Sequence, residues 1–483
     1  MTRSAPSIIQ FNQQFSLWNA VPSYNLILCA QLLKIMTLPF EPTLKQQPAL
    51  SQKSLVSMIR DKFANLTDVR TGDNTRYEVS DAALSAFAVF FMQNPSFLAQ
   101  QINLQKNKGK NNLQTLFGAY SNPCDNQIRN LMDVVSPIEL YDIFSHIFNE
   151  LHATGYFKPF TVLNNSLLIA LDGVDYFSSE KIHCECCSTQ EFANGKIRYS
   201  HKAITPVIVS PKQNQVIPLA PEFVTPQDGH TKQDCELTAS SRWLQRQGQA
   251  LAAYNVTILG DDLYSHEPFC QDIKAQNMHF VLVCKPDSHK TLYDWLADFE
   301  RENKIITITR SRWDGKNKIH DTYRLMNVLP LRDADETMMV NWCELKSVRD
   351  DGKVMYHNTF ITDYPLTSSN VIEIVAAGRA RWKIENENNN TLKTKGYHFK
   401  HNFGHGKKNL SSVLATLILL AFLFHTILEH IDKCYQLLRA SLSSRKTFFD
   451  DIRALTRYIC FESWQQMLEF MLKGLEIPIP ESI

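Results

Sequence analysis

The sequence of 483 residues predicts a mixed α/β fold, and three observations support this. Short apolar runs that stop at acidic residues indicate buried strands in the middle of the chain. Residues 300–362 alternate between polar and apolar, which indicates further strands. Helical apolar spacing dominates before residue 160 and after residue 366. We therefore expect an α/β core formed by residues 161–285 and 366–430, interrupted by a β-rich insertion over 286–365.

The N-terminal part is expected to be mainly helical. Residues 1–35 are the least organised, and residues 36–160 form the helical part, with helices predicted over 52–66, 80–91, 96–104, 127–131 and 137–154. Residues 106–112 (KNKGKNN) read as a basic loop between two of these helices. Short helices with a basic connection are typical of a small DNA-binding domain, and a generic helical bundle is the alternative.

The core and the insertion follow in order along the chain. Strands are predicted over 167–171, 198–209, 215–220, 256–259 and 280–284, with helices over 234–254 and 266–276. The insertion has predicted strands over 305–313, 321–328, 342–348 and 356–362. Asn370 and Glu373 resemble a capping box at the start of a helix that should reach residue 395. Helices over 410–428 and within 448–472 then lead into a C-terminal helical segment, residues 431–483.

Two aspartates follow predicted strands directly, and a glutamate lies far downstream. Asp172 follows the run 167–171, Asp261 follows the run 256–259, and Glu385 lies on the predicted helix 370–395. Ligands bind at the carboxyl ends of strands in α/β sheets, and oxygen ligands suit Mg²⁺. Two such ions can activate an attacking hydroxyl and stabilise the leaving oxygen of a phosphodiester. Individually, each aspartate could be a turn former, and Glu385 could simply pair with Arg381.

Basic residues cluster from Arg379 to Lys408 although the whole chain has a net charge of only +1. A nucleic-acid partner therefore cannot be inferred from total charge, and has to be inferred from this cluster. The aromatic residues Trp382, Tyr397, Phe399 and Phe403 are interleaved with it. We expect DNA contacts here, with a solvated basic surface as the alternative. The candidate DNA-binding residues are Arg379, Arg381, Trp382, Lys383, Lys393, Lys395, Lys400, Lys407 and Lys408.

Three stretches of the sequence carry a family resemblance. They are LLIALDGVDYFSSEKIHC, VTILGDDLYSHEPFC and GRARWKIENENNNTLKTKGYHFKHNFGHG. As a set and in this order, they resemble the catalytic blocks of bacterial insertion-sequence transposases of the DDE class. The branch resembled has the signature Tyr, two residues, Arg, three residues, Glu, six residues, Lys. The resemblance covers about residues 160–430 and implies an RNase H-like core with a β-rich insertion.

The resemblance assigns catalytic and metal-binding roles to Asp172, Asp261 and Glu385. Asp261 matches because Tyr264 lies three residues on, and Glu385 matches because Arg381 lies four residues before it. Asp262 and Glu387 remain alternatives for the second aspartate and the glutamate. Two positions depart from the signature. Gly378 stands where it has Tyr, and Leu392 stands where it has Lys, with Lys393 one residue late.

The function implied by the resemblance is cut-and-paste transposition of an insertion sequence. It implies two Mg²⁺ or Mn²⁺ ions, double-stranded DNA partners (terminal inverted repeats and target DNA) and a homodimer on DNA. An odd number of cysteines, 11, and the lack of a secretory start favour a reducing cytoplasm, here bacterial and nucleoid-associated. A metal-dependent nuclease or resolvase without strand joining is one alternative. A catalytically dead DNA-binding regulator is the other.

Two further patterns each allow more than one interpretation. Residues 413–424 are nearly all apolar but too few to span a membrane, so they predict a buried core helix. His183, Cys184, Cys186 and Cys187, with His201 and Cys235 downstream, could bind Zn²⁺. A second closely spaced Cys pair is missing, which favours reduced cysteines in a packed or DNA-facing loop. Residues 400–408 (KHNFGHGKK) read as a DNA-contacting loop rather than a metal site.

Overall fold

The N-terminal part is helical, as predicted. The structure is a computed structural model that describes residues 48–71, 75–104, 107–226 and 234–480, so the predicted segment 1–35 lies outside the described residues. Short 3₁₀ turns at Pro48–Leu50 and Pro137–Leu140 accompany the helices here. The helices are α1 (Gln52–Phe63), α2 (Val79–Phe91), α3 (Phe97–Leu104), α4 (Asn107–Phe117), α5 (Asp125–Met132) and α6 (Tyr141–Ala153).

The prediction that residues 106–112 form a loop is wrong, because helix α4 begins at Asn107. The segment that follows carries Leu113, Leu116 and Phe117 at helical spacing, and all three are buried. An apolar stripe of this kind extends a helix into residues of indifferent propensity, and one glycine costs a helix only about 1 kcal/mol. The polar residues 107–112 therefore occupy the first turns of a helix.

A large sheet forms the centre of the protein. It has nine strands in the order β10-β11-β12-β13-β9-β8-β1-β5-β6. Strand β1 pairs in parallel with β8, which pairs in parallel with β9, whereas β5 and β6 are antiparallel. The strands are β1 (Leu167–Ala170), β5 (Val207–Ser210), β6 (Gln213–Pro218), β8 (Val256–Gly260), β9 (His279–Val283), β10 (Ile306–Trp313), β11 (Lys318–Pro330), β12 (Met339–Arg349) and β13 (Val354–Thr362).

The four strands predicted for the insertion are present, and they extend the central sheet. Strand β13 pairs antiparallel with β9, with Phe360 opposite Val283 and Thr362 opposite Val281. Strands β12, β11 and β10 then follow in antiparallel order. The β-rich segment and the core consequently share one continuous hydrogen-bonded ladder.

A smaller sheet stands beside the end of β1. It contains β2 (Gly173–Ser179), β3 (Ser188–Glu191), β4 (Ile197–Ile204) and β7 (Glu222–Phe223), in the order β2-β4-β3 with β7 paired to β4. The single strand predicted over 198–209 is therefore two strands, β4 and β5, separated at Thr205 and Pro206. Proline has no N–H to donate to a ladder, which explains the break. The Thr205 N–H instead donates to the carbonyl of Asp172 at 3.2 Å.

Helices cover the sheet and connect its strands. They are α7 (Glu236–Leu251), α8 (Glu267–Ala275), α9 (Lys290–Arg301), α10 (Val371–Ala380) and α11 (Asn390–Thr394). The helix predicted over 370–395 is not uniform, since a π-helical turn at Ile384–Asn389 separates α10 from α11.

The capping box predicted at the start of α10 is wrong. The Asn370 side chain makes no capping bond to the helix; it accepts the Thr367 N–H at 2.8 Å. Glu373 accepts the backbone N–H of Leu163 at 2.9 Å, so it anchors the segment before β1. A capping box is present instead at Ser136 and Glu139.

The predicted core helix is present as α12 (Leu410–Ile431). Every residue from 413 to 424 is buried, as expected. Within the described part of the chain, α12 is the one helix long and apolar enough to cross a membrane, and 89% of its most apolar window is buried inside the protein. Phe424 packs against Phe87 of α2 at 5.1 Å between ring centroids. Its apolar surface is therefore used by contacts within the protein.

The C-terminal part holds three short helices, where one had been predicted within 448–472. They are α13 (Lys433–Ser441), α14 (Arg445–Tyr458) and α15 (Trp464–Gly474). Asp432, Ser444 and Ser463 each cap the N-terminus of one of them with a side-chain oxygen. These caps mark the breaks between the helices, since such residues satisfy N–H groups that have no helical partner.

Candidate functional site

Asp172 and Asp261 lie at the carboxyl ends of adjacent parallel strands. Ala170 of β1 is opposite Leu259 of β8, and each aspartate follows two residues later. The Leu171 N–H donates to the Leu259 carbonyl at 2.9 Å, so the register holds to the strand ends. Neighbouring strands are about 4.8 Å apart, which brings the two aspartates side by side at one edge of the sheet.

Asp172 lies in a region of concentrated negative charge. Burial, followed by the charges of Glu236, Glu385 and Asp261, raises the pKa of Asp172 to about 7, against the opposing charge of Arg381. A carboxylate close to others loses its proton less readily, because like charges disfavour ionisation. Asp261 and Glu385 are thus near enough for their charges to act on Asp172.

Glu385 and Glu387 face different surroundings. The Arg381 guanidinium contacts the Glu385 carboxylate at 2.8 Å, the ordinary i,i+4 pairing, and about half of the Glu385 side chain is exposed. Glu387 acts on Lys383 instead. Burial lowers the pKa of Lys383, and the charge of Glu387 opposes that shift only in part. The charge of Glu385 is among those that raise the pKa of Asp172.

The π turn brings Asn389 to the same place. The Asn390 N–H donates to the carbonyl of Glu385, five residues back, which defines the turn. The Asn389 amide donates from Nδ2 to Oδ2 of Asp172 at 2.9 Å. Its Oδ1 accepts from the Thr205 hydroxyl at 2.9 Å, which fixes the amide orientation. Single π turns inside α-helices are frequent at functional sites.

The π turn also accounts for the late lysine. A π turn accommodates one extra residue in a helix, so positions after it are displaced by one. Leu392 is fully buried, whereas Lys393 lines a cleft. Burial and then the charge of Lys400 lower the pKa of Lys393, against the opposing charge of Asp172. Of these two residues, Lys393 is the one that faces the cleft.

Asp261 and Asp262 differ in what holds them. Asp262 accepts the Lys285 N–H at 2.5 Å and the Ser288 hydroxyl, so it ties the segment after β9 to the strand end. Asp261 accepts only the nearby Leu263 N–H at 2.9 Å among the contacts described, as the cap of a 3₁₀ turn at Asp262–Tyr264. Asp261 has the freer carboxylate of the two.

Glu236 is a fourth carboxylate beside Asp172 that sequence reasoning missed. Its Oε1 accepts the Gly173 N–H at 3.0 Å and the Tyr264 hydroxyl at 2.9 Å. A Cβ at position 173 would lie 2.1 Å from Glu236 Oε2, so a larger residue here would displace the Glu236 carboxylate from its present position. The available signal was the position of Glu236 in the first turn of a predicted helix, where acidic residues are favoured.

Gly378 is explained by packing of α10 on the sheet. A Cβ at this position would lie 2.7 Å from the Phe360 ring and 3.0 Å from Val281. No larger side chain fits between the helix and strands β13 and β9. Gly378 thus allows close contact between helix α10 and the sheet.

A polar cleft of about 360 Å³ opens next to Asp172. Four basic side chains line it, Lys393 and Lys400 together with Arg198 and Lys202 of β4. Asp175 offsets part of this charge, with Arg198 at 3.3 Å. The sequence pattern missed Arg198 and Lys202 because they lie in a different segment from the predicted basic cluster.

Most of the predicted DNA-binding residues are accessible. Arg381 is partly buried in its pair with Glu385, and Lys393 is partly buried in the cleft. The Arg379 guanidinium stacks on the Tyr356 ring at 4.3 Å from its centroid. The exposed ones are Arg379, Trp382, Lys395, Lys400, Lys407 and Lys408.

Two parts of that prediction are wrong. Lys383 is only 6% exposed, and its Nζ donates to the carbonyls of Ser210 and Gln213 in the β5–β6 hairpin. The aromatic rings of Tyr397, Phe399 and Phe403 are buried, so they cannot stack on bases. These rings belong to the core. The sequence pattern alone could not distinguish buried aromatic residues from exposed ones.

Asp133 holds the segment that carries Lys407 and Lys408. Its carboxylate accepts the backbone N–H groups of Lys407, Lys408, Asn409 and Leu410, at distances of 2.8 to 3.1 Å. Burial opposes ionisation, but these four donors lower the pKa of Asp133 below its usual value. Residues 396–409, hereafter the basic loop, are thereby anchored to the N-terminal helices.

A different set of residues converges more closely than the carboxylates do. Within the described residues, one group has ligand atoms all within 4.8 Å of one another: Cys184, Cys187, His201 and His405. The carboxylates of Asp172, Asp261 and Glu385 do not form such a group. Two of the cysteines considered from the sequence, Cys186 and Cys235, lie outside it. His405 had been assigned to a DNA-contacting loop rather than to a metal site.

Comparisons with known proteins include a distant likeness to a solved structure. No protein-family model and no curated protein matches the chain. The fold is similar to a solved structure described as a cryo-EM structure of a piggyBac transposase synaptic complex with hairpin DNA, with 10% sequence identity and a TM-score of 0.40. The match covers 91% of this chain and 81% of the other. A likeness of this size does not define a function.

Proposed function

We propose that this protein is a DNA transposase of the DDE class that cleaves DNA at the ends of an insertion sequence and joins the freed ends to a target. Both steps are phosphoryl transfers and need only one active site. The observation that carries the proposal is the placement of Asp172 and Asp261 in register at adjacent parallel strand ends. Glu385 lies close enough for its charge to raise the pKa of Asp172.

The strand arrangement supports an RNase H-like core. In the sheet, the antiparallel strands β5 and β6 lie on one side of β1, and the parallel strands β8 and β9 lie on its other side. Such a core presents its acidic residues at the end of the central strand, which here is β1. The β-rich segment enters between Asp261 and Glu385, at the position that the resemblance predicts.

The residues fit a pair of Mg²⁺ or Mn²⁺ ions. The donors are carboxylate oxygens, which such cations prefer. The raised pKa of Asp172 reflects burial first and then the negative charge of its neighbours, and a cation would neutralise that charge. Asp172, Asp261 and Glu385 would hold the ions, with Glu385 turning from Arg381. When bound, the ions supply activation of the attacking hydroxyl and stabilisation of the leaving oxygen.

Other residues would orient these carboxylates and hold the DNA. Asn389 fixes the Asp172 carboxylate through its amide. Arg381, freed from Glu385, can hold a phosphate oxygen. The cleft lined by Lys393, Lys400 and Lys202 offers positive charge for the backbone beside the reacting phosphate.

The partners follow from the reaction. Transposition needs two element ends and a target, so double-stranded DNA and a homodimer assembled on it are part of the proposal. A bacterial cytoplasm, in contact with the nucleoid, is the compartment where such DNA is found. A nuclease or resolvase without strand joining would use the same carboxylates, and a DNA-binding regulator would use the basic residues alone.

The experiment is a cleavage and joining assay with the purified protein. Labelled linear DNA carrying the sequences that flank the reading frame is incubated with Mn²⁺, using wild type and Asp172→Asn. Cleavage at the flank boundaries with joined products, both absent in the variant, is the expected result. Cleavage without joining supports the nuclease, and DNA binding without metal-dependent cleavage supports the regulator.

A further inference from the structure

Four soft ligand atoms meet at one point beside the small sheet. Cys184 and Cys187 come from the turn between β2 and β3, His201 from β4, and His405 from the basic loop. The Cys184 and Cys187 sulfurs are 3.7 Å apart, and they lie 3.3 and 3.4 Å from Nε2 of His201. Nδ1 of His405 is 3.1 Å from the same nitrogen.

These separations are those of a tetrahedral metal centre. With Zn–S near 2.3 Å and Zn–N near 2.0 Å, tetrahedral geometry puts two sulfurs about 3.8 Å apart and two nitrogens about 3.3 Å apart. A sulfur and a nitrogen are then about 3.5 Å apart. The observed distances agree with each of these values to within about 0.3 Å, and the Cys184–Cys187 spacing, with two residues between, is usual for zinc.

Hydrogen bonding alone does not account for the arrangement. Nε2 of His201 contacts both thiols and the other imidazole, yet a neutral ring nitrogen either donates one proton or accepts one bond. His201 is 4% exposed and Cys187 is 4% exposed, so water cannot satisfy the excess contacts. A cation at the common point would satisfy all four atoms.

We propose that Cys184, Cys187, His201 and His405, the Cys/His cluster, bind one structural Zn²⁺ ion. Two thiolates and two imidazoles favour Zn²⁺ over hard cations, and four protein ligands leave no open position for a substrate. Aromatic rings hold the imidazoles, since Tyr176 stacks on His201 at 5.6 Å and Phe177 meets His405 edge-on at 4.2 Å between centroids.

The ion would fix the basic loop against the small sheet. Cys184, Cys187 and His201 belong to the β2–β4 region, whereas His405 lies two residues before Lys407. Asp133 already holds the other side of that loop through Lys407 and Lys408. The loop would then be held at two points, by Asp133 on one side and by the ion on the other.

The test is the zinc content of the purified full-length protein. Wild type, reconstituted with Zn²⁺ and desalted, should hold one zinc per chain, measured by inductively coupled plasma mass spectrometry. Cys184→Ser, Cys187→Ser and His405→Ala should each lose most of it. Cys186→Ser and Cys235→Ser should keep it, as neighbouring cysteines outside the cluster.

Cobalt substitution gives an independent readout on wild type. Co²⁺ in a site with two thiolates should give thiolate charge-transfer and tetrahedral d–d bands, and these should be absent in His405→Ala. Wild type that is folded yet holds neither zinc nor cobalt would overturn the proposal, as would zinc retained in full by the Cys184→Ser, Cys187→Ser double variant. Two fewer free thiols in unreduced wild type, with no zinc, would assign a Cys184–Cys187 disulfide instead. None of these readouts depends on DNA cleavage.

Discussion

The carboxylate site and the Cys/His cluster lie at opposite ends of strand β2 and its following turn, and they differ in every property that decides how a metal ion is used. The carboxylate site (Asp172, Asp261 and Glu385) offers only oxygen, is partly exposed, and has an arginine competing for Glu385. The Cys/His cluster offers sulfur and nitrogen, is mostly enclosed, and already has tetrahedral spacing.

The difference teaches which site can exchange its ligands. An open set of hard donors can share an ion with a phosphate, because Mg²⁺ keeps coordination positions for substrate and water. A closed set of four soft donors cannot, so its ion would act on structure alone. The two sites should therefore respond differently to each of the following changes.

The largest effect is expected from the carboxylates themselves. Asp172→Asn, Asp261→Asn and Glu385→Gln should each reduce cleavage to background, since an amide oxygen holds a divalent cation more weakly than a carboxylate oxygen. DNA binding and zinc content should be unchanged. Glu387→Gln is the matched control. An inactive Glu387→Gln beside an active Glu385→Gln would move the assignment to Glu387.

A metal-exchange experiment should separate the two sites in one sample. Brief EDTA treatment should abolish cleavage, and added Mg²⁺ should restore it, while the zinc content stays constant through both steps. The reason is that hard-cation sites of few carboxylates exchange readily, whereas closed thiolate sites do not. Loss of zinc in step with activity would remove the distinction between the sites.

Asn389→Ala should lower cleavage by about 10–100-fold, the usual effect of removing a partner that orients a metal ligand. Its amide holds Oδ2 of Asp172, so the loss should be partly recovered at high Mg²⁺ concentration. Asn390→Ala, one residue on and exposed, is the control and should stay fully active. Equal activity of the two variants would show that the amide has no role at the site.

A smaller effect is expected at the anchor of the basic loop. Asp133→Asn should reduce stability at pH 7 by about 1–3 kcal/mol, because four N–H groups lose a charged acceptor. The folded pKa of Asp133 is lowered, so its contribution is present above pH about 4 and is lost as the pH falls through the folded pKa. The deficit of the variant should accordingly shrink in acid, as measured by urea unfolding. Asp142→Asn, whose side chain is 81% exposed, should change stability little.

The smallest effect is expected on the salt dependence of DNA binding, in which two lysines should differ. Lys393→Ala should flatten the slope of log affinity against log salt by about one, as expected for one phosphate contact. Lys383→Met should leave the slope unchanged and lower stability, because its Nζ binds two carbonyls in the interior. A slope changed by Lys383→Met alone would reverse the two roles.

Much of the sheet could be predicted because its strands are short apolar runs with clear ends. The runs before Asp172 and Asp261 are local patterns, so their position in the chain fixed where both aspartates would lie. Strand β2 was missed because Gly173–Ser179 is mostly polar and half-exposed, without the apolar run of β1. Helix α4 was missed because its first turns are polar and only its later residues are apolar.

The parts of the candidate sites that escaped prediction depend on contacts between distant residues. His405 and His201 are 204 positions apart, so no local spacing relates them. The Cys184–Cys187 spacing was visible in the sequence, but Cys186 between them obscured it. The π turn at Ile384–Asn389 has no distinct periodicity over so few residues, and only its consequence, the late lysine, was visible.

The pairing of β13 with β9 has a consequence for any attempt to shorten this protein. Because the two strands share backbone hydrogen bonds, removing residues 286–365 would leave the N–H and C=O groups on one side of β9 without partners. An exposed apolar edge readily pairs with another chain, and Phe280, Val281 and Leu282 would supply its side chains. The shortened protein should aggregate, so the segment protects an edge of the sheet whatever else it does.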